Sequence, residues 1–149
     1  MEGRDRWFED YQPGQMEETT THLMTEEAII AFAREFDPQP FHIDPVAAAD
    51  TNWGGLIASG WHTGSVMMKL IATTLGPSSM GSGGGTELRW SAPVRPGDEL
   101  RVRMHVVEVR PSKSRPDRGT VRFRNEVVNQ RDEIVMTFTP DVLFKRRPS

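Results

Sequence analysis

The chain contains no cysteine, which removes disulfides, thiolate metal sites and cysteine nucleophiles from the possible chemistries. It has no apolar run long enough to cross a bilayer, so no membrane partner is expected. The opening Met1-Glu2-Gly3-Arg4-Asp5-Arg6-Trp7 is charged and has no apolar stretch behind it. No signal peptide is therefore expected, and a cytoplasmic location is. A large excess of one charge is missing too: the net value is −3 over 149 residues, which argues against nucleic acid as a partner. Histidines number only 4, and none stands with Asp or Glu at the spacing of a zinc protease, so no metal is expected. The run Gly81-Ser82-Gly83-Gly84-Gly85 lacks the Lys-Ser/Thr ending of a phosphate loop and reads as a flexible link.

What is present suits one domain over residues 1–149, with residues 1–14 as an arm and 145–149 as a tail. Residues 15–24 are rich in Thr and read as a first strand. Thr25 then stands as an N-cap ahead of Glu26 and Glu27, and Ala28, Ile29, Phe32, Ala33 and Phe36 keep helical spacing. That helix stops at Asp37-Pro38. Asp44-Pro45 reads as a cap followed by proline at the first helical position, opening a short helix over 46–50. A longer helix is predicted over 61–75, ended by Gly76-Pro77. Its only fixed charge is Lys69, and Val66, Met67, Met68, Leu70, Ile71 and Leu75 point in nearly every direction. At roughly 22 Å such a helix is too short for a bilayer and must be buried by other elements. Beyond it stand four runs of alternating pattern, over 86–92, 99–109, 120–129 and 133–144. In the second, Leu100, Val102, Met104 and Val106 face a core while Arg101, Arg103 and His105 face out; in the third, Val121 and Phe123 alternate with Arg122 and Arg124. A buried helix followed by antiparallel strands is an α+β architecture, a curved sheet wrapped around the helix. A sheet face or edge beyond the helix's reach favours a homodimer or an assembly of dimers.

The densest chemistry lies in Asp37-Pro38-Gln39-Pro40-Phe41-His42-Ile43-Asp44. Two prolines make this a stiff turn, because each fixes its own φ and pushes the preceding residue out of the helical region. An acid and an imidazole held in one relation suit acid–base catalysis. Asp37 as a helix stop with His42 packed beneath it is the purely structural alternative, just as capping is for Asp44.

Together with later stretches of the chain, this segment resembles the MaoC-like (R)-specific enoyl-CoA hydratases and dehydratases of the hot-dog fold. Their motif is Asp, two residues, Pro, one residue, His, one residue and an acid, and Asp37, Pro40, His42 and Asp44 stand in that spacing. Ala48 or Ala49 lies where the family often has alanine. The likeness continues through Ile57-Ala58-Ser59-Gly60, Ser65 and Leu88-Arg89-Trp90-Ser91-Ala92-Pro93-Val94-Arg95-Pro96-Gly97-Asp98. The chain departs from the pattern at Phe36, Gln39 and Ser59, where the family usually has Gly, Asn and often His.

The resemblance implies a hot-dog fold and syn hydration of a 2-enoyl thioester to the (R)-3-hydroxyacyl thioester, or its reverse, without a metal or redox cofactor. The acyl group would ride on CoA or on an acyl carrier protein. Asp37 and His42 are then the catalytic pair. The free N–H groups at the start of the 61–75 helix suit a developing thioester oxyanion, Gly60 first among them. Ser59 and Gln39 flank the site as candidate substrate-binding residues. Ser65 either reaches the site or bonds back to its own helix. His62 on the buried helix suits a core role better than a site role, and His22 and His105 suit a surface. Met67, Met68 and Met80 fit either core packing or an acyl tunnel. Arg101, Arg103, Arg122 and Arg124 are solvated strand faces or a field steering an anionic carrier. A thioesterase and a non-catalytic acyl-thioester binding protein are the competing functions; His42 disfavours the first, and the presence of both Asp37 and His42 the second.

Overall fold

The computed structural model describes residues 6–84 and 86–149. The opening charged residues on which the absence of a signal peptide was read lie, up to position 5, outside the described residues, as does Gly85 of the glycine run. The strands and helices come in the order β1 (Met16–Glu18), β2 (His22–Leu23), α1 (Glu26–Phe36), α2 (Pro40–Ile43), α3 (Pro45–Ala49), α4 (Gly60–Leu75), β3 (Ser79–Gly84), β4 (Leu88–Trp90), β5 (Glu99–Pro111), β6 (Arg118–Val128), β7 (Ile134–Phe138) and β8 (Asp141–Lys145).

All pairings among the described residues are antiparallel: β1 and β2 on β5, β5 on β6, β6 on both β7 and β8, β7 on β4 and β8 on β3. The predicted first strand is in fact two. Between them the Thr19 N–H donates to the Val102 carbonyl at 3.0 Å while the Thr19 hydroxyl accepts the Val102 N–H at 3.0 Å, so a side chain supplies one of the two ladder bonds where β1 and β2 separate. The predicted run over 133–144 is likewise broken, at Thr139-Pro140. Proline has no N–H to donate, but its carbonyl still accepts from Phe123 at 3.1 Å, so β7 and β8 lie in line along one edge of β6. The glycine run corrects the sequence reading most. Ser79–Gly84 is no link but a strand, held on β8 with shifts of register.

The inner face of the sheet carries Leu100, Val102, Met104, Val121, Phe123 and Val127, all nearly sealed from solvent. Against them α4 buries Val66, Met67, Leu70, Ile71 and Leu75. Each such side chain contributes about 1.5–3 kcal/mol of burial. Within one chain the helix is not wrapped all round, as its composition suggested. Trp61, Ser65, Met68 and Ala72, spaced along one stripe of α4, remain exposed.

Candidate active site

Local capping builds the site. The Thr25 hydroxyl accepts the Ala28 N–H at 3.1 Å and starts α1; the helix ends where the Asp37 N–H donates to the Ala33 carbonyl at 2.8 Å. Pro38 forbids continuation. Pro40 then opens α2, a single turn that carries His42, and Asp44 closes it by donating its N–H to the Pro40 carbonyl at 2.9 Å. The Asp44 carboxylate accepts from Val46 and Ala47 N–H and starts α3. The expected irregular turn is thus one helical turn between two caps.

His42 is 5% exposed. Its Nδ1 lies 2.7 Å from the Ile57 carbonyl oxygen. A carbonyl only accepts, so Nδ1 carries a proton, and whenever the ring is neutral its lone pair lies at Nε2. That nitrogen stands 3.2 Å from Oδ2 of Asp37. The other carboxylate oxygen accepts from the Gln39 amide at 2.6 Å. Burial raises the Asp37 pKa, but hydrogen bonds from Gln39 and Ser59 and the charge of His42 outweigh it, so the carboxyl titrates below its ordinary range.

The segment before α4 is strapped to both sides of the site. Ile57 N–H donates to Phe41 and Ala58 N–H to Val94. Ser59, fully buried, caps α4 by accepting the Trp61 N–H at 3.3 Å. Gly60 is the first residue of the helix, so its N–H has no acceptor within it. The Trp90 indole lies on Gly60 and donates to its carbonyl at 2.9 Å. A Cβ on Gly60 would come within 2.9 Å of the indole nitrogen, so a side chain there would force the indole to shift. A cleft of about 320 Å³ opens here, walled by Phe41, His42, Trp53, Gly60, Thr63 and Trp90.

The structure therefore brings Asp37, His42, Gln39, Ser59 and Gly60 together. It does not bring Ser65, whose hydroxyl donates to the Trp61 carbonyl at 2.8 Å on the exposed stripe of α4. Phe36 is exposed and rests on Phe32. His62 is buried and stacked on Phe32 at 4.7 Å, its Nδ1 without a partner among the described residues. Burial, and then the charge of His22, pull its pKa below the ordinary value. His105 pairs with Glu126 at 2.6 Å. Arg101 and Arg103 both pair with Glu18 and Asp132, and Arg122 pairs with Asp141 and Glu108. Three of the four strand arginines are thereby neutralised in place, which leaves little field to steer an anion. Met67 is buried, whereas Met68 and Met80 are exposed. Among the described residues, no group of three or more His, Cys, Asp or Glu converges as a metal site, and no helix is long and apolar enough to cross a membrane.

Sequence reasoning missed Trp53, Thr63 and Trp90 as cleft walls. Thr63 had a signal, lying one helical turn after Gly60 and so on the same face. The two tryptophans had none, because chain folding alone brings them to His42.

A central helix packed on an antiparallel sheet is the hot-dog fold, and here an acid–imidazole pair stands near the N-terminus of that helix. The model of the MaoC like domain matches residues 10–131, and the chain belongs to that family. A MaoC-like dehydratase from Rhodospirillum rubrum is 46% identical, with a TM-score of 0.89, the match covering 97% of this chain and 99% of that one. An (R)-hydratase from Pseudomonas aeruginosa is 29% identical with a TM-score of 0.78, covering 95% and 86%. A 3-hydroxybutyryl-CoA dehydratase from Methylorubrum extorquens is 31% identical over 111 residues, 73% of this chain and 69% of that protein.

Proposed function

We propose that the protein hydrates 2-enoyl-CoA thioesters to (R)-3-hydroxyacyl-CoA, or runs the reverse dehydration, without a metal or redox cofactor. The observation that carries this reading is the His42–Asp37 pair, with Nδ1 of His42 fixed on Ile57 and Nε2 turned to Asp37, where in the neutral ring it is an acceptor. The two acceptors, Nε2 and Oδ2, suit the two hydrogens of one water molecule. The water oxygen bonds to C3 of the enoyl group as its proton passes to the pair. Electrons of the C2–C3 double bond move toward the thioester carbonyl, and the Gly60 N–H receives the oxyanion. One such preorganised donor contributes about 3 kcal/mol of barrier lowering. Return of a proton from the pair to C2 completes addition and leaves the enzyme unchanged. Phe41, Trp53 and Trp90 give the acyl group an apolar bed and exclude bulk water. The names of the Pseudomonas and Methylorubrum relatives support the same reaction class.

A second copy of the chain covers the open stripe of α4 in this proposal. Exposed Trp61 and Met68 beside the exposed Trp90 of β4 support it. A sedimentation mass of two chains is expected; a mass of one would contradict the pairing.

The reaction is tested by loss of conjugated-enoyl absorbance with short, medium and branched 2-enoyl-CoAs, with free thiol assayed in parallel. Hydration without thiol is the expected result. Thiol release would replace the hydratase by a thioesterase, and binding without turnover would replace it by a carrier of acyl thioesters.

A further inference from the structure

Thr63 is 2% exposed, and its hydroxyl makes no hydrogen bond among the described residues. The reason lies in its own turn of helix. A threonine or serine within a helix ordinarily gives its hydroxyl to a carbonyl three or four residues back, as Ser65, Thr73 and Thr74 of α4 all do. For Thr63 those carbonyls are Ser59 and Gly60. The Ser59 carbonyl already accepts two N–H groups, from His62 at 3.0 Å and from Thr63 itself at 3.1 Å, which fills both of its lone pairs. The Gly60 carbonyl accepts the Trp90 indole at 2.9 Å.

The free hydroxyl is not walled in. The unpartnered polar atoms of His62, and of Asn125 on the inner face of β6, have no accessible surface, whereas the Thr63 oxygen keeps some. Thr63 walls the His42 cleft, so that surface opens there. Gly60 and Thr63 are the two residues of α4 that wall the cleft. Side chains on a helix tilt toward its N-terminus, and residues three apart share a face. The Thr63 hydroxyl therefore leans back over the turn that begins with the unpaired N–H of Gly60.

Resting on the hydration reading above, we infer that Thr63 is a second donor to the thioester oxygen. The Gly60 N–H and the Thr63 hydroxyl hold that oxygen between them. Both bonds strengthen as negative charge collects on it, and the hydroxyl keeps its proton throughout. On the attacking water the same hydroxyl would instead draw on the oxygen lone pairs that must bond to C3.

The test compares the wild type with Thr63→Val and Thr63→Ser by steady-state hydration of a 2-enoyl-CoA and by the infrared carbonyl stretch of bound butyryl-CoA, isotopically labelled at its thioester carbonyl. The saturated probe cannot be hydrated, so the stretch is read apart from turnover. Thr63→Val is expected to lower kcat and kcat/KM alike by about 30-fold or more, with KM nearly unchanged. Its bound carbonyl should stretch at a higher frequency than in the wild type, and Thr63→Ser should restore both readings. Thr63→Ala removes the same hydroxyl where the valine does not fold. An undiminished kcat, a loss of kcat with the stretch unmoved, or a serine as poor as valine would each overturn the inference. A wild type that lowers the stretch relative to Thr63→Val but hydrates no 2-enoyl-CoA would sink the hydratase reading alone and leave Thr63 as a donor to the bound thioester.

Discussion

Nε2 of His42 stands 3.2 Å from Oδ2 of Asp37, across a helix end, two prolines and one helical turn. The relation is over-determined. Ile57 holds the far side of the imidazole and Gln39 holds the far oxygen of the carboxylate, so neither ring nor carboxylate is free to rotate away.

Gln39→Leu is expected to move the acid limb of the kcat/KM profile to higher pH. The Gln39 amide favours the ionised carboxylate, so its removal raises the Asp37 pKa. A pH–rate series on both proteins checks this, and an unmoved limb would mean that the limb does not report Asp37.

Gly60→Ala is expected to cost about 1–3 kcal/mol of stability, because the new methyl meets the Trp90 indole. Adding Trp90→Ala removes the obstacle, and the double variant should lose less than the sum of its parts. Additive losses in thermal unfolding would show that the indole is not what excludes a side chain there.

Replacement of Asp44 by Ala should cost about 1 kcal/mol through the lost cap of α3, with turnover falling much less than for His42. Loss of activity at unchanged stability would instead give this carboxylate a part in the chemistry.

The depressed pKa of His62 makes stability sensitive to acid. Its stabilising effect is whole above the unfolded value, near 6.5. As pH falls below it the unfolded chain takes up a proton that the buried ring does not, and stability declines down to the folded pKa. His62→Phe keeps a ring against Phe32 and should flatten this decline in a series of urea midpoints between about pH 7.5 and 5. An equal slope in both proteins would place the sensitivity elsewhere.

What the sequence made legible was mostly local. Thr25, Asp44 and the prolines act within a few residues, so α1, its stop and the placing of Asp37 by His42 arise from short spacings. The strand at Ser79–Gly84 was hidden because glycines carry no alternating pattern; pairing with β8 imposes it. The break at Pro140 was in plain view, but the apolar alternation on either side masked it. Trp90 reaches Gly60 across 30 positions, and Asn125 reads as one polar residue among arginines until the strand's inner face is known.

The central claim is that Asp37 and His42 form the acid–base pair, and turnover of a 2-enoyl-CoA by Asp37→Asn and His42→Ala, with thermal unfolding monitored on the same samples, tests it most directly. Each substitution is expected to lower turnover by about 100-fold or more while the unfolding temperature stays near that of the wild type. Turnover that falls only in step with lost stability would contradict the claim and leave the pair as the clamp that ends α1.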